Sequence, residues 1–429
     1  MPMAKYMERV VDSQLRDKLD TFGAVNIVGP KWCGKTKTAE QQSKSAVYLQ
    51  SDPNKEGLRQ LAKINPQMIL DGESPRLIDE WQDAPEVWDA VRYECDHRDG
   101  PGHFILTGST SKKVQTSHTG TGRISELMMY PMSLFESGES SGAVSLQSIF
   151  DGDGMALGCS SDLSYQDLVF ASCRGGWPYS LGLKSKEAQL SIAQDYHHQI
   201  YSHDMFQLDD VRRNPETMRV VLRSYARNIS TLAKTTNILT DVKSTENISL
   251  VTLNDYLDVL RRLYIIQELD GWTPSLRSSS GVRSGPKREF VDPSLAVSAL
   301  GTSPEKLQMD PNTFGFIFEC LCIRDLRVYS SKQRGSLSYY RDRYGLESDS
   351  VLHLKDGRYA LIEFKLGDYG VDEGAKHLLK IQSLIEDHNN ENNSPRLDPP
   401  SALIVMTGTK YGYRRPDGVY VIPVGCLGP

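Results

Sequence analysis

The stretch Gly29-Pro30-Lys31-Trp32-Cys33-Gly34-Lys35-Thr36 follows the apolar run Ala24-Val25-Asn26-Ile27-Val28, and it constrains this chain more than any other. It fits Gly-x-x-x-x-Gly-Lys-[Ser/Thr], a loop between a buried strand and a helix whose backbone N–H groups curl around phosphate oxygens. The glycines permit the curl, and the N-terminal end of the next helix adds positive potential. In that pattern Lys35 reaches the terminal phosphates and the Thr36 hydroxyl ligates Mg²⁺. The expected ligand is ATP with Mg²⁺, cradled by residues 29–36.

An acidic strand end must complete such a site. Met68-Ile69-Leu70-Asp71 offers one acid followed by Gly72, whereas Arg76-Leu77-Ile78-Asp79-Glu80 offers two. Asp79 is therefore expected to hold the metal and Glu80 to orient the attacking water. A helical stretch over 81–97 and the run His103-Phe104-Ile105-Leu106-Thr107-Gly108-Ser109 continue the alternation. Strands alternating with helices imply a parallel sheet covered by helices, with ligands at the carboxyl ends of its strands.

With 429 residues the chain is too long for one ordinary core, so two or three domains are expected. No run of about 18 apolar residues exists to span a membrane. The start, Met1-Pro2-Met3-Ala4-Lys5, lacks the apolar core of a signal peptide, so a cytoplasmic location is expected. Seven cysteines without a Cys-x-x-Cys read as reduced thiols, the Cys320-x-Cys322 pair pointing apart on a helix. A net charge of −6 means that a polyanionic partner would have to be met by local basic patches.

Gly120-Thr121-Gly122-Arg123 and Pro131-Met132-Ser133-Leu134-Phe135-Glu136 follow. Together with the phosphate loop, Leu77-Ile78-Asp79-Glu80 and Phe104 to Ser109, they resemble the AAA+ group of prokaryotic ATPases that carry a domain of unknown function behind the ATPase. The resemblance runs over most of the chain. It implies that Ser109 senses the γ-phosphate and that Arg123 is an arginine finger offered to a neighbouring subunit; a structural salt bridge accounts for Arg123 equally well. A homo-oligomer is then expected, a hexameric ring being one form of it.

Residues 137–164, rich in Ser, Gly and Asp, read as a linker. Arg174-Gly175-Gly176-Trp177-Pro178 is similar to the start of the small helical lid behind such cores; there Arg174 would touch nucleotide or simply open a helix. Farther on, Asn214 and Pro215 begin a helix whose stripe is Met218, Val221, Leu222, Tyr225 and Ile229, with Arg219, Arg223 and Arg227 on another side. A second helix carries Arg261 and Arg262 outward, and Tyr264 to Leu269 reads as a strand. These elements resemble a winged-helix module. Residues 275–288 hold four cations and no acid, so the module is expected to meet a phosphate backbone, of duplex or branched DNA.

In the last third, Asp349 is followed by Glu363-Phe364-Lys365, the pattern of PD-(D/E)XK nucleases, with Glu319 on the preceding helix as their frequent fourth acid. Asp349 and Glu363 would hold a metal on a phosphodiester while Lys365 orients or deprotonates water. A three-residue turn, Lys355-Asp356-Gly357 with Gly357 left-handed, sets Asp349 opposite Glu363 and collects Leu352, Leu354, Ala360, Ile362 and Phe364 on one apolar face.

The chain thus reads as α/β throughout. Residues 1–136 form an AAA+ P-loop ATPase core, and 137–205 a linker and small helical lid. Residues 206–300 form a winged-helix-like basic module, and 301–429 a PD-(D/E)XK nuclease-like (restriction-endonuclease-like) domain. Three functions compete: an ATP-dependent DNA-processing enzyme acting on branched DNA such as a Holliday junction, an ATP-switched nucleic-acid-binding or regulatory assembly with an inactive nuclease fold, and an ATPase acting on a protein partner.

Overall fold

The computed structural model describes residues 6–108, 120–152, 158–209, 211–275, 284–391 and 396–429. Its first sheet has five parallel strands in the order Ser45–Tyr48, Arg76–Asp79, Phe104–Gly108, Ala24–Val28, Ile124–Met128. Side chains alternate across the central strands: Ala24, Ile78, Phe104 and Leu106 face one layer, and Val25, Ile27, Leu77, Ile105 and Leu127 face the other. Burial on both faces is why these strands read as near-continuous apolar runs. Gln67–Leu70 is a helical turn rather than a strand, so Asp71 ends no strand of the sheet.

The second sheet has eight strands, with Ala402–Thr407 at its centre, parallel to Tyr359–Lys365 on one side and to Tyr420–Pro423 on the other. Tyr359–Lys365 forms an antiparallel hairpin with Glu347–His353, joined through Gly357 at φ +94°. Ser350 opposes Ile362, the register that sets Asp349 beside Glu363. Leu352, Leu354, Ala360, Ile362 and Phe364 pack into one core, as alternation requires. The long helix Val371–Asn390 covers the opposite face through Leu378, Ile381 and Ile385.

The segment expected as a linker pairs with C-terminal strands twice, once in this second sheet and once in a separate two-stranded sheet. Cys159–Ser160 adds an edge strand against Tyr411 and Gly412, and Val144–Ser145 pairs with Leu427–Gly428. Two-residue strands have no sequence signature of their own, because remote partners supply their hydrogen bonds. Among the described residues one hydrophobic core runs from Leu134 through the middle helices to Leu427, continuing across positions 205 and 300. Three helices, Pro215–Arg227, Thr235–Val242 and Leu250–Arg262, precede the segment expected as a strand, which is bridged only at Ile266 with Phe290 and Leu269 with Lys287. Among the described residues no helix is long and apolar enough to cross a membrane.

A buried ionic knot joins the parts. Arg324, on the helix Pro311–Ser330, donates to Asp292 at 3.1 Å and to Asp325 at 2.7 Å, all three being inaccessible to water. Asp325 accepts the backbone N–H of Leu134, and Asp292 accepts that of Gly176. Gly176 itself has no room for a side chain, since a Cβ there would lie 2.1 Å from the Met132 carbonyl oxygen. Arg174, for which sequence left a nucleotide contact and an ordinary structural role open, is buried and forked onto Glu139 at 2.7 and 2.8 Å. Removing one partner of a buried ion pair leaves uncompensated charge. Arg324→Met is therefore expected to cost about 3–5 kcal/mol of unfolding free energy, measured by urea denaturation. A loss below about 1 kcal/mol would show that the knot is not structural.

Candidate functional site

The phosphate loop lies between Ala24–Val28 and the helix Lys35–Gln42. Gly29 sits at φ +148°, and a Cβ there would lie 2.2 Å from the Met129 carbonyl oxygen, so only glycine fits. Lys35 is buried, and its ammonium donates to the carbonyls of Gly29 at 3.0 Å and Pro30 at 2.8 Å. Thr36 Oγ1 donates to Asp79 Oδ1 at 2.6 Å, and Thr107 Oγ1 donates to the same oxygen at 2.8 Å. The Phe104–Gly108 strand lies between the loop strand and the acidic strand, which is what brings Thr107 to Asp79. Glu80 turns away from its strand at φ +55°, its N–H held by Thr107 Oγ1 at 3.0 Å and its carboxylate accepting from Gln82. Thr36 and Asp79 are two convergent hard oxygen donors, the type Mg²⁺ takes. Ser109 lies outside the described residues. Arg123 donates to Asp96 Oδ1 at 2.7 Å within its own chain, the salt-bridge role weighed above for it.

A second cluster forms where the hairpin meets the helix Pro311–Ser330. Asp349 Oδ2 accepts the N–H of Phe364 at 3.0 Å, and Lys365 lies 3.0 Å from Glu363 Oε2. The sequence-predicted Glu319, Asp349, Glu363 and Lys365 are thus brought together, and an unpredicted residue joins them. Lys287 is buried, donates to Glu319 and to the Asp349 carbonyl at 3.1 Å, and lies 3.5 Å from Asp349 Oδ1. Burial works against its charge, yet Glu319 and Asp349 hold the Lys287 ammonium above the usual lysine range. Burial pushes the Glu363 carboxyl up to about 8; repulsion from Asp349 adds to this and Lys365 opposes it. Among the described residues no group of three or more His, Cys, Asp or Glu is arranged to hold a metal ion. The donor chemistry suits a cation, but the cation present is an ammonium.

The basic faces expected to meet phosphate are mostly spent internally. Arg219 pairs with Glu216, Arg227 with Asp241 at 2.6 Å, Arg261 with Glu268 at 2.9 Å and Arg262 with Asp209 at 2.9 Å. Arg288 is buried against Glu268 and lies over the Tyr225 ring. Arg277 and Arg283 lie outside the described residues. Arg223, the remaining arginine of that stripe, is exposed and forms no ion pair with another described residue, so the face is paired in part rather than throughout.

Residues 21–137 match the AAA domain family. The N-terminal domain is P-loop ATPase-like. Residues 165–306 match a domain of unknown function (DUF8612), and residues 314–427 match another (DUF4143). An uncharacterized protein of Mycobacterium tuberculosis (strain ATCC 25618 / H37Rv) is 25% identical over 355 residues, covering 81% of this chain and 71% of that protein. One from Mycobacterium bovis (strain ATCC BAA-935 / AF2122/97) matches to the same extent. A Walker-type ATPase of Pyrococcus abyssi superposes with TM-score 0.44 at 15% identity, covering 68% of this chain and 96% of that one.

The P-loop ATPase-like domain is braced from outside the motif. Arg9 is buried and donates to the Cys33 carbonyl at 2.8 Å and the Tyr130 carbonyl at 2.9 Å, while its Nε lies 3.1 Å from Glu136. Lys31 contacts Asp204 at 2.7 Å, its N–H donates to the Tyr196 hydroxyl at 3.0 Å, and Trp32 packs on the Tyr196 ring. Sequence marked Glu136 as part of a motif but carried no signal for Arg9, Tyr196 or Asp204, lone residues outside any motif.

The raised carboxyl of Glu363 gives a pH prediction. Its folded value of about 8 exceeds the unfolded value near 4.3, so its favourable contribution is complete below that value and is lost as pH rises through about 8. Unfolding free energy should therefore fall between pH 5 and 9, and Glu363→Gln should flatten that decline. Equal slopes in the two chains would contradict the assignment.

Proposed function

We propose that this protein binds and hydrolyses ATP and uses the nucleotide cycle to switch a nuclease-like domain that does not cut. Support for hydrolysis comes from the convergence of Lys35, Thr36, Asp79 and Thr107 at one strand end. Lys35 exchanges two loop carbonyls for the β- and γ-phosphates, and Thr36 with Asp79 would hold Mg²⁺. When bound, Mg²⁺ neutralises charge on the phosphate oxygens. Glu80, which follows Asp79 at the end of the acidic strand, would orient and polarise the attacking water. The observation that carries the non-cutting half is Lys287. An ammonium between Glu319 and Asp349 neutralises the carboxylates a nuclease would keep for metal.

A second reading, ATP-driven cleavage of branched DNA, is favoured by one feature: Glu363 and Lys365 share a strand face with Asp349 beside them. It requires Lys287 to withdraw. The three helices followed by a bridged pair support a winged-helix-like middle module in either reading.

Lys35→Ala should abolish ATP binding, whereas Glu80→Gln should bind ATP normally and hydrolyse it at least about a hundredfold more slowly, as loss of a water-orienting carboxylate predicts. In parallel, the unaltered chain with ATP and Mg²⁺ or Mn²⁺ should leave duplex, forked and four-way DNA intact. Normal turnover by Glu80→Gln would displace Glu80 from its role. Metal-dependent cutting abolished by Asp349→Ala would establish the second reading instead.

A further inference from the structure

The strand Tyr411–Arg414 lies near the edge of the second sheet, and among the described residues its outer side is paired only at Tyr411 and Gly412. Tyr413 opposes Val421, Val421 opposes Val405, and Val405 opposes Glu363. These residues form one row on one sheet face, and three strand spacings put Tyr413 about 14 Å from Glu363. Tyr411, two residues away, projects from the same face. Both rings are open to solvent, at 63% and 42% exposure for Tyr411 and Tyr413. Large apolar rings side by side on an open strand call for an occupant, and the local charge says which.

Residues 408–416 hold three cations and no acid. Lys410 and Arg414 are exposed, and neither forms an ion pair with another described residue. The Lys410 ammonium lies 5.6 Å from the Tyr411 ring centre, and the Arg414 guanidinium 5.1 Å from that of Tyr420. Arg415 pairs with Asp372 at 2.5 Å and Asp417 at 3.0 Å, which offsets the charge of these two carboxylates. Two cations of this patch are therefore open to an anion. Adjacent tyrosines on one strand face stand about 6.7 Å apart. That is about twice the 3.4 Å rise per base, so bases can stack on and between the rings. Bases locked in a duplex offer no free face for this, whereas a single strand does.

We propose that the Lys410–Arg414 strand is a binding platform for single-stranded nucleic acid, with Tyr411 and Tyr413 stacking bases and Lys410 and Arg414 meeting the backbone. The platform does not depend on the ATPase reading. Its test is fluorescence anisotropy of the full chain with labelled oligo-dT, oligo-rU and a duplex of equal length, across 0.05–0.2 M salt, with ATP hydrolysis measured on the same samples. The single strands should bind more tightly than the duplex, and preference between the two single strands tells DNA from RNA. The double variant Tyr411→Ala with Tyr413→Ala should lose at least about tenfold in affinity, with an unchanged salt slope. The double Tyr→Phe variant should retain binding. Lys410→Gln with Arg414→Gln should reduce the slope of log affinity against log salt by about 1.4, two contacts at about 0.7 each. Absence of single-strand binding, equal binding of duplex, or full affinity without the two rings would each overturn the platform. Loss of hydrolysis in the unaltered chain would overturn the ATPase reading alone.

Discussion

The fully buried guanidinium of Arg324 holds the rest of the molecule in register. It satisfies Asp292 and Asp325, and those carboxylates in turn accept backbone N–H groups from Gly176 and Leu134. Leu134 follows the last strand of the first sheet, and Gly176 follows the first helix of the middle region. Desolvating three charges is costly, and one wrong neighbour would leave a charge unpaired, so the knot admits a single arrangement of these segments. Glu319 lies on the same helix as Arg324, and so the helix Pro311–Ser330 touches both the end of the ATPase-like domain and the carboxylate cluster.

The phosphate loop is gripped at two points that a nucleotide would feel. Arg9 holds the Cys33 carbonyl against Glu136, and Lys31 and Trp32 rest on Tyr196 and Asp204 of the middle region. Lys35 spends its ammonium on two loop carbonyls. Bringing phosphate to Lys35 would release those carbonyls, and the loop tip that would respond is the part bound to the middle helices. The same sequence motif therefore supplies both the chemistry and a mechanical contact with the adjoining helices.

What was legible in the sequence was local. Glycine and lysine spacing marked residues 29–36, and strict alternation with a turn glycine at 357 was enough to set the hairpin register. The pairing of the arginines was not legible because their acids are either one turn away, as Glu216 is from Arg219, or remote, as Asp241 is from Arg227. Stripe analysis sees the cations and not their partners. Lys287 was misread for the same reason: a lysine in an acid-free stretch looks solvated until the fold buries it against Glu319, 32 residues later. The short strands of 137–164 take their order from remote C-terminal strands, which no local pattern records.

Whether the carboxylate cluster of the C-terminal domain could act on a phosphodiester turns on whether an ammonium or a divalent metal balances it. A cation already tethered in place lowers the affinity of Asp349 and Glu363 for any other, because like charges compete for the same oxygens. The decisive measurement is Mn²⁺ binding followed calorimetrically in the Lys35→Ala background without nucleotide, comparing Lys287 with Lys287→Ala. The account predicts no binding attributable to the cluster while Lys287 is present, and a new site in Lys287→Ala that Glu363→Gln removes again. A Mn²⁺ site that needs Asp349 and Glu363 in the chain still carrying Lys287 would contradict it.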